Sequence, residues 1–366
     1  MKVGILTFCY AHDYGALLQC YAMKQVIKNM GHDAYVIGYD CMPLDETYVR
    51  MFPKLCEFKN PVKAGKKWAK QIINLPFLNE NRKIWNNYEN FINNEISPIK
   101  YPTDIKLDAV VCGSDQIWNP SVMKGLKKEF FGCINPANII KIAYAPSCGD
   151  IAELNGFEEE FTKLVSGMDY ISARESVLSN YITDKTGLKA KTVVDPSLLA
   201  DKSVYESLEQ ERIIKSPYIL VYNKDGRNKE IKNAAFKLSK LTSMPMAEIT
   251  ALRASSKSEK DYTRLNGVTI SEFLTLIRDA EYVVTNSFHG IAFSLIYNTQ
   301  FYFVECLRTE RIYNLLNSLG IQNRVINEND IIQKKINYND VNEKLNLLRE
   351  EGRNYLFNAL NNKKEG

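Results

Sequence analysis

The stretch Tyr282-Val283-Val284-Thr285-Asn286-Ser287-Phe288-His289-Gly290, continuing into Ile291-Ala292-Phe293-Ser294-Leu295-Ile296, decides how the rest of the chain is read. Tyr282 to Val284 is a short apolar run of the kind that forms a buried strand. Thr285, Asn286 and Ser287 are polar and suit a turn and a helix N-cap, where a side-chain oxygen takes up a free backbone N–H. The apolar segment from Phe288 onward then predicts a buried helix. A strand, a tight turn and a helix start gather unpaired N–H groups and the positive end of a helix dipole in one place. Such a place binds phosphate or carboxylate. His289 and Gly290 stand in it. The same string also fits an ordinary strand-to-helix turn with a satisfied core histidine, so its meaning rests on the remainder of the chain.

Bulk properties narrow the choices. With 366 residues the chain has room for two domains, and 45% hydrophobic with 25% charged residues is a globular composition. A net charge of +4 is too small to argue for nucleic acid as a partner. The eight cysteines form no C-x-x-C pair and several sit in apolar runs, which predicts buried free thiols in a reducing compartment. Three histidines are too few for a His-rich metal centre. Met1-Lys2 leads straight into the apolar Val3-Gly4-Ile5-Leu6, with no signal peptide. No run approaches the ~20 apolar residues that span a bilayer. The expected location is the cytoplasm.

Working outward, the same strand–loop–helix unit recurs. Lys2 to Phe8 predicts a strand, Cys9 to Gly15 a polar loop holding His12, Asp13, Tyr14 and Gly15, and Ala16 to Asn29 a helix closed by Gly31. Asp33 to Tyr39 follows as a second strand, so the chain opens as a βαβ unit with ligands expected at the strand C-terminal ends. No G-x-G-x-x-G accompanies it, and no dinucleotide cofactor is expected. Leu107 to Cys112 is a strand ending in Gly113-Ser114-Asp115. Ile139 to Ala145, Tyr170 to Ser172 and Thr192 to Val194 are further strands, and Glu153 to Ser166 reads as a helix. A second unit has strands at Tyr218 to Tyr222, Met246 to Thr250, Tyr282 to Val284 and Phe301 to Val304. It also has a loop rich in Ser and Lys at Ser255 to Asp261, a helix capped by Ser271, a helix from Thr309 to Leu319 and a long final helix. The fold class expected is α/β: two doubly wound parallel-sheet, Rossmann-like domains facing a cleft. Residues 1–205 form the acceptor side, 206–335 the donor side, and 336–366 a helix packing back towards the first domain. A basic helical insert at 50–95 interrupts the first domain.

Within that insert, Arg50 to Trp85 holds nine basic residues against two acidic ones, a net +7 in a chain of only +4. Phe52, Phe58, Trp68, Phe77 and Trp85 are interleaved. The plain reading is a solvated helical insert with a few core aromatics. The functional one is a surface for an anionic membrane or a lipid-linked acceptor, placing the protein at the inner face of the membrane.

Several strings together resemble the polysaccharide pyruvyl transferase family, whose fold is similar to the B-type glycosyltransferases. They are Tyr14-Gly15-Ala16-Leu17-Leu18-Gln19, Gly113-Ser114-Asp115-Gln116-Ile117-Trp118-Asn119, Ile171-Ser172-Ala173-Arg174-Glu175, Val194-Asp195-Pro196 and Ser287-Phe288-His289-Gly290, in family order over about the first 300 residues. The resemblance implies transfer of a pyruvyl group from phosphoenolpyruvate to a sugar of a surface glycan, giving a cyclic ketal. It places the family's key histidine at His289 and its key arginine at Arg174. Ser287 stands where many members carry an arginine, in a T-x-R-x-H string. The donor's positive partner then falls to Lys224 or Arg308, or the donor is held differently.

The chemistry implied by that donor needs partners for a phosphate and a carboxylate. Arg174 offers a planar fork for either. Asn286, Ser287 and the backbone N–H groups at Phe288 to Ile291, Gly290 among them, are expected to hold the phosphate. His289 is the expected proton donor or phosphate partner. Asp115 and Asp13 are the candidates for taking the hydroxyl proton. Tyr14, Gly15, Ser114 and Trp118 are expected near the acceptor, the two aromatics stacking on a sugar ring or serving as packing. No metal is implied. A nucleotide-sugar glycosyltransferase is the alternative on the same frame, with Glu305 as its ribose carboxylate. A non-catalytic glycan-binding protein is the other.

Overall fold

The computed structural model describes residues 1–39, 78–134, 139–224, 229–250, 262–305, 310–326 and 334–361. Most of the basic segment 50–85, the Ser255 to Asp261 loop, Arg308 and the cysteines Cys41, Cys56 and Cys306 lie outside these residues. The five described cysteines are free, and all but Cys133 are buried.

Two parallel sheets organise the chain. The first contains β1 (Lys2–Leu6), β2 (Asp33–Gly38), β3 (Ile99–Lys100), β4 (Ala109–Cys112) and β5 (Ile140–Ala143) in the order β3-β2-β1-β4-β5. A short parallel pair, β6 (Ser172–Ala173) with β7 (Lys191–Thr192), continues beyond β5, where Ala143 N–H donates to Tyr170 O at 2.9 Å. The second sheet contains β8 (Ile219–Asn223), β9 (Met246–Thr250), β10 (Tyr262–Leu265), β11 (Tyr282–Thr285), β12 (Gln300–Val304) and β13 (Val325–Ile326). Its order is β10-β9-β8-β11-β12-β13. Each sheet therefore runs outward in one direction from its first strand and then reverses. The reversal falls between β1 and β4, and again between β8 and β11, with Val3 beside Ala109 and Thr285 beside Tyr222. At such a switch point the flanking helices diverge and leave a crevice at the strand C-terminal ends. The fold is α/β with two Rossmann-like lobes.

The helix Tyr14–Asn29 joins the lobes. It starts two residues earlier than its hydrophobic spacing suggests, because Asp13 caps it by accepting from Ala16 N–H. It is buried on nearly every side, Gln19 included, since it packs on the first sheet and also on the second-lobe helices Ile270–Asp279 and Phe288–Tyr297. One apolar core consequently runs from Val3 and Leu17 of the first lobe through Tyr14 to Phe273, Val283 and Phe293 of the second. The last helix, Tyr338–Asn361, starts on the second lobe, where Tyr338 OH donates to Thr299 O, and ends on the first, where Tyr355 OH donates to Ala143 O at 2.9 Å.

Two local expectations change. Thr269, not Ser271, caps Ile270–Asp279, through a reciprocal capping box with Glu272. The Glu153 to Ser166 segment is broken at Gly156, whose φ of +83° suits glycine, into a 3-10 turn Ile151–Leu154 and the helix Glu158–Val165. The edge strands β3, β10 and β13 carry no periodic signal in the sequence.

Candidate active site

The C-terminal ends of the four switch-point strands, with the segments that follow β6 and β7, supply the site. From β11, Thr285 Oγ1 accepts from Ser287 N–H at 3.0 Å, and Ser287 caps the Phe288–Tyr297 helix through Gly290 N–H at 3.4 Å. Gly290 is forced by this turn, because a Cβ there would lie 2.6 Å from Thr285 Oγ1. Its N–H is already used by Ser287, and Ile291 N–H bonds Ser287 O at 3.2 Å. Among the described residues, the helix-end amides left over are those of Phe288 and His289, so the expected anion cradle is narrower than the sequence suggested. Gly290 is a packing residue.

His289 is 5% exposed and its ring lies against the start of the first-lobe helix. A Cβ on Gly15 would come within 1.9 Å of its Nδ1. Gly15 is therefore the residue that lets the two helix starts meet around one imidazole. Arg174, 6% exposed, follows β6. The two side chains share a partner that sequence reasoning did not single out as a site residue. Asp195 accepts from Arg174 Nη1 at 3.0 Å on Oδ2, and its Oδ1 lies 3.8 Å from His289 Nε2. Asp195 also caps the short helix Pro196–Leu199, with Ser197 N–H at 2.9 Å and Ser197 Oγ at 2.7 Å on Oδ1. Burial alone would raise this carboxyl, but His289, Arg174 and Ser197 hold it well below the usual carboxylate range. The Asp-Pro pair at the end of a strand was the one visible signal, and it reads first as a helix cap.

Arg174 is gripped from two sides. Asp195 takes Nη1, and Glu175 Oε1 lies 3.5 Å from Nε. Glu175 is itself fixed by Ser147 Oγ at 2.6 Å. Burial opposes the charge, yet Glu175, Asp195 and Asp115 together raise the guanidinium above its ordinary value. Nη2 is the end not held. It is buried, makes no hydrogen bond and lies 4.0 Å from Asp115 Oδ1. His289 Nε2 is likewise buried and without a hydrogen bond. Each of these two nitrogens thus has a carboxylate nearby, at 4.0 and 3.8 Å, but no hydrogen bond, which is costly unless a ligand completes them.

Asp115, at φ +67°, and Ala145, at φ +51°, are in left-handed conformations at the ends of β4 and β5. Asp115 tolerates this better than Ala145, whose Cβ makes it a strained position of the kind found at working sites. Lys224 Nζ ion-pairs with Asp13 Oδ2 at 2.9 Å, and its N–H donates to Asn286 Oδ1 at 3.0 Å. Phe288 presents its ring to Arg174, whose Cζ is 4.9 Å from the centroid, and to Arg311 at 5.9 Å. Arg311 carried no signal in the sequence. A cavity of about 60 Å³ is lined by Arg174, Asp195, Phe288 and Arg311, together with Leu348 and Glu351 of the last helix. At about 10–15 Å³ per water this holds a group the size of one carboxylate or phosphate.

Other expected contacts lie elsewhere. Tyr14 is 2% exposed, stacks on Phe273 at 4.5 Å and donates to Val268 O, so it packs between the lobes instead of meeting a sugar. Trp118 is fully buried against Phe131. Ser114 is fully buried, with Oγ 2.9 Å from Asp195 Oδ2, and supports that carboxylate from behind. His12 pairs with Glu89 at 2.9 Å. Glu305 follows β12, exposed, and accepts from Tyr313 OH at 3.0 Å.

Comparison with known proteins adds the following. A model of the polysaccharide pyruvyl transferase family matches residues 13–307. No curated protein matches the sequence. Among solved structures, the chain is similar to UDP-N-acetylglucosamine 2-epimerase from Rickettsia bellii, with 13% identity, 97% of this chain and 96% of that one covered, and a TM-score of 0.45. It is similar to the Methanocaldococcus jannaschii UDP-GlcNAc 2-epimerase in complex with UDP-GlcNAc and UDP, with 12% identity, 96% and 94% covered, and a TM-score of 0.48. It is also similar to the glycosyltransferase SnogD from Streptomyces nogalater, with 10% identity, 96% and 95% covered, and a TM-score of 0.40.

Proposed function

Since the chain belongs to the polysaccharide pyruvyl transferase family and is a transferase, we propose that it moves a pyruvyl group from phosphoenolpyruvate onto a pair of hydroxyls of a polysaccharide precursor, closing a cyclic ketal and releasing phosphate. The observation that supports this most is that two buried nitrogens, Arg174 Nη2 and His289 Nε2, make no hydrogen bond, on two side chains that share Asp195. Phosphoenolpyruvate carries two acid groups close together and suits such a pair.

In this reading the guanidinium takes one acid group and the amides of Phe288 and His289, at a helix start, take the other. Asp195 holds Arg174 in place and keeps a counter-charge beside His289. From there His289 gives a proton to the methylene carbon or to the departing phosphate oxygen. Protonation of the methylene makes the central carbon electrophilic. One sugar hydroxyl adds there, and a second displaces phosphate and closes the ring.

The test is incubation of the protein with phosphoenolpyruvate and a panel of galactosides and mannosaminides, read by phosphate release and by mass gain of the sugar. One phosphate per ketal formed is the expected result. Thermal stabilisation by nucleotide sugars, with none by phosphoenolpyruvate and no phosphate released, would replace this reading with glycosyl transfer. Stabilisation by neither would point to a non-catalytic glycan binder.

A further inference from the structure

One ion pair links the lobes beside the buried Arg174–Asp195–His289 group. Lys224 Nζ, from the end of β8, lies 2.9 Å from Asp13 Oδ2, from the loop after β1, and their side chains are 43% and 16% exposed. Each partner is anchored independently of the other. Asp13 Oδ1 accepts from Ala16 N–H at 3.0 Å, and the Lys224 N–H is held by Asn286 Oδ1 at 3.0 Å. Only the flexible lysine stem need move for Nζ to change partner. The pair is set among the site's own charges: Asp115 and Arg311 act on Lys224, and His289 acts on Asp13.

As it stands, the pair is idle. Burial would raise the Asp13 carboxyl, but Lys224 and His289 bring it down to about 2. A carboxylate that acidic is a poor base, and a lysine bound to it is a neutralised cation. A partly open ion pair is also weak, so a doubly charged ligand competes with it readily.

Resting on the pyruvyl-transfer reading, we propose that an acid group of the donor takes Lys224 from Asp13, and that Asp13 Oδ2, so released, accepts the proton of the attacking acceptor hydroxyl. The base comes into being only when the donor is in place. As the acceptor oxygen bonds the donor's central carbon, its proton passes to Oδ2, and the electron pair of the C–C double bond takes a proton from His289 at the methylene carbon. When the second hydroxyl adds, the bond to the phosphate oxygen breaks. Of the two hydroxyl protons, one is balanced by the new methyl group and the other leaves with phosphate. Asp115 is less suited to this role. Its Oδ1 already accepts from Gln116 N–H at 2.9 Å, and among the described residues it holds no lysine that a ligand could take away.

The experiment is calorimetric titration of phosphoenolpyruvate, with turnover, into wild type, Asp13→Asn and Lys224→Met. Asparagine caps a helix as well as aspartate does, so Asp13→Asn keeps the helix start, and Asp13→Ser, another good cap, serves if Asp13→Asn fails to fold. Removing the competitor for Lys224 should make Asp13→Asn bind phosphoenolpyruvate about two- to fivefold tighter. Its kcat should fall about 100-fold or more. Lys224→Met should bind the donor about tenfold more weakly. A purely structural Asp13 would not tighten binding while turnover fell. Near-normal kcat in Asp13→Asn, or weaker donor binding there, overturns the inference while leaving the pyruvyl reading intact if wild type binds. A wild type that binds no phosphoenolpyruvate overturns both.

Discussion

At the scale of single residues, Gly15 and His289 are fitted to each other. With a Cβ on Gly15 only 1.9 Å from His289 Nδ1, one of them must move. In Gly15→Ala the imidazole is displaced from Asp195, and phosphate release should drop about 100-fold, since small misplacements at a reacting centre are costly. The melting temperature should change by only a few degrees, as alanine favours the helix interior. Turnover equal to wild type would remove His289 from the reaction. Asp195 yields a second prediction. Its carboxyl is depressed in the fold relative to an unfolded value near 3.9, so its stabilisation is present above about pH 4 and is lost as pH falls below that. Asp195→Asn should therefore cost about 1.5–3 kcal/mol at pH 7, the loss of one charge-assisted partner from a buried Arg174 that keeps Glu175. The deficit should narrow by about 1.4 kcal/mol per unit below about pH 4. Urea unfolding at pH 7 and pH 3 measures both, and a pH-independent deficit contradicts the assignment. His289 stands out in the sequence because it follows a strand and begins a helix, and Arg174 only through the family resemblance of its string. Asp195 does not stand out, because a capping aspartate and a charge-organising aspartate look alike until the arginine arrives from 21 positions upstream in the chain.

At the scale of elements, the strand–turn–helix units carried most of the legible fold. Apolar runs such as Val283-Val284 announce buried parallel strands, and polar residues after them announce caps. What escaped was set by geometry beyond the local string. The helix Tyr14–Asn29 is buried on both sides because two lobes close on it, and period alone shows only one face. The two-residue strands β3 and β13 exist because a neighbour offers an edge. The capping box at Thr269 and Glu272 is present in the sequence, two residues before the cap at Ser271 that the pattern suggests. It sits away from the charged cluster, so Thr269→Ala should lower stability by about 1 kcal/mol without changing donor affinity. A loss of donor binding in that variant would mean that the Ile270–Asp279 helix positions the site more directly than its contacts indicate.

At the scale of the molecule, the two lobes share one core. Tyr14, Phe273 and Tyr222 pack together across the cleft, and the last helix ties Thr299 to Ala143. Burial of that kind couples the lobes energetically. Scanning calorimetry should show one unfolding transition, and two well-separated transitions would mean the shared core contributes little. The same closeness brings the first-lobe loop carrying Asp13 to the second-lobe helix carrying His289, which no single segment of sequence could show.

The account depends on an acid ligand reaching Arg174 Nη2 and His289 Nε2, the two buried nitrogens that make no hydrogen bond. Calorimetric titration of phosphoenolpyruvate into wild type and Arg174→Lys tests this most directly, since lysine keeps the charge and loses the free Nη2 of the fork. Saturable binding to wild type, weakened about tenfold or more in Arg174→Lys, is the predicted result. Equal affinity in both proteins, or no binding to either, would contradict it.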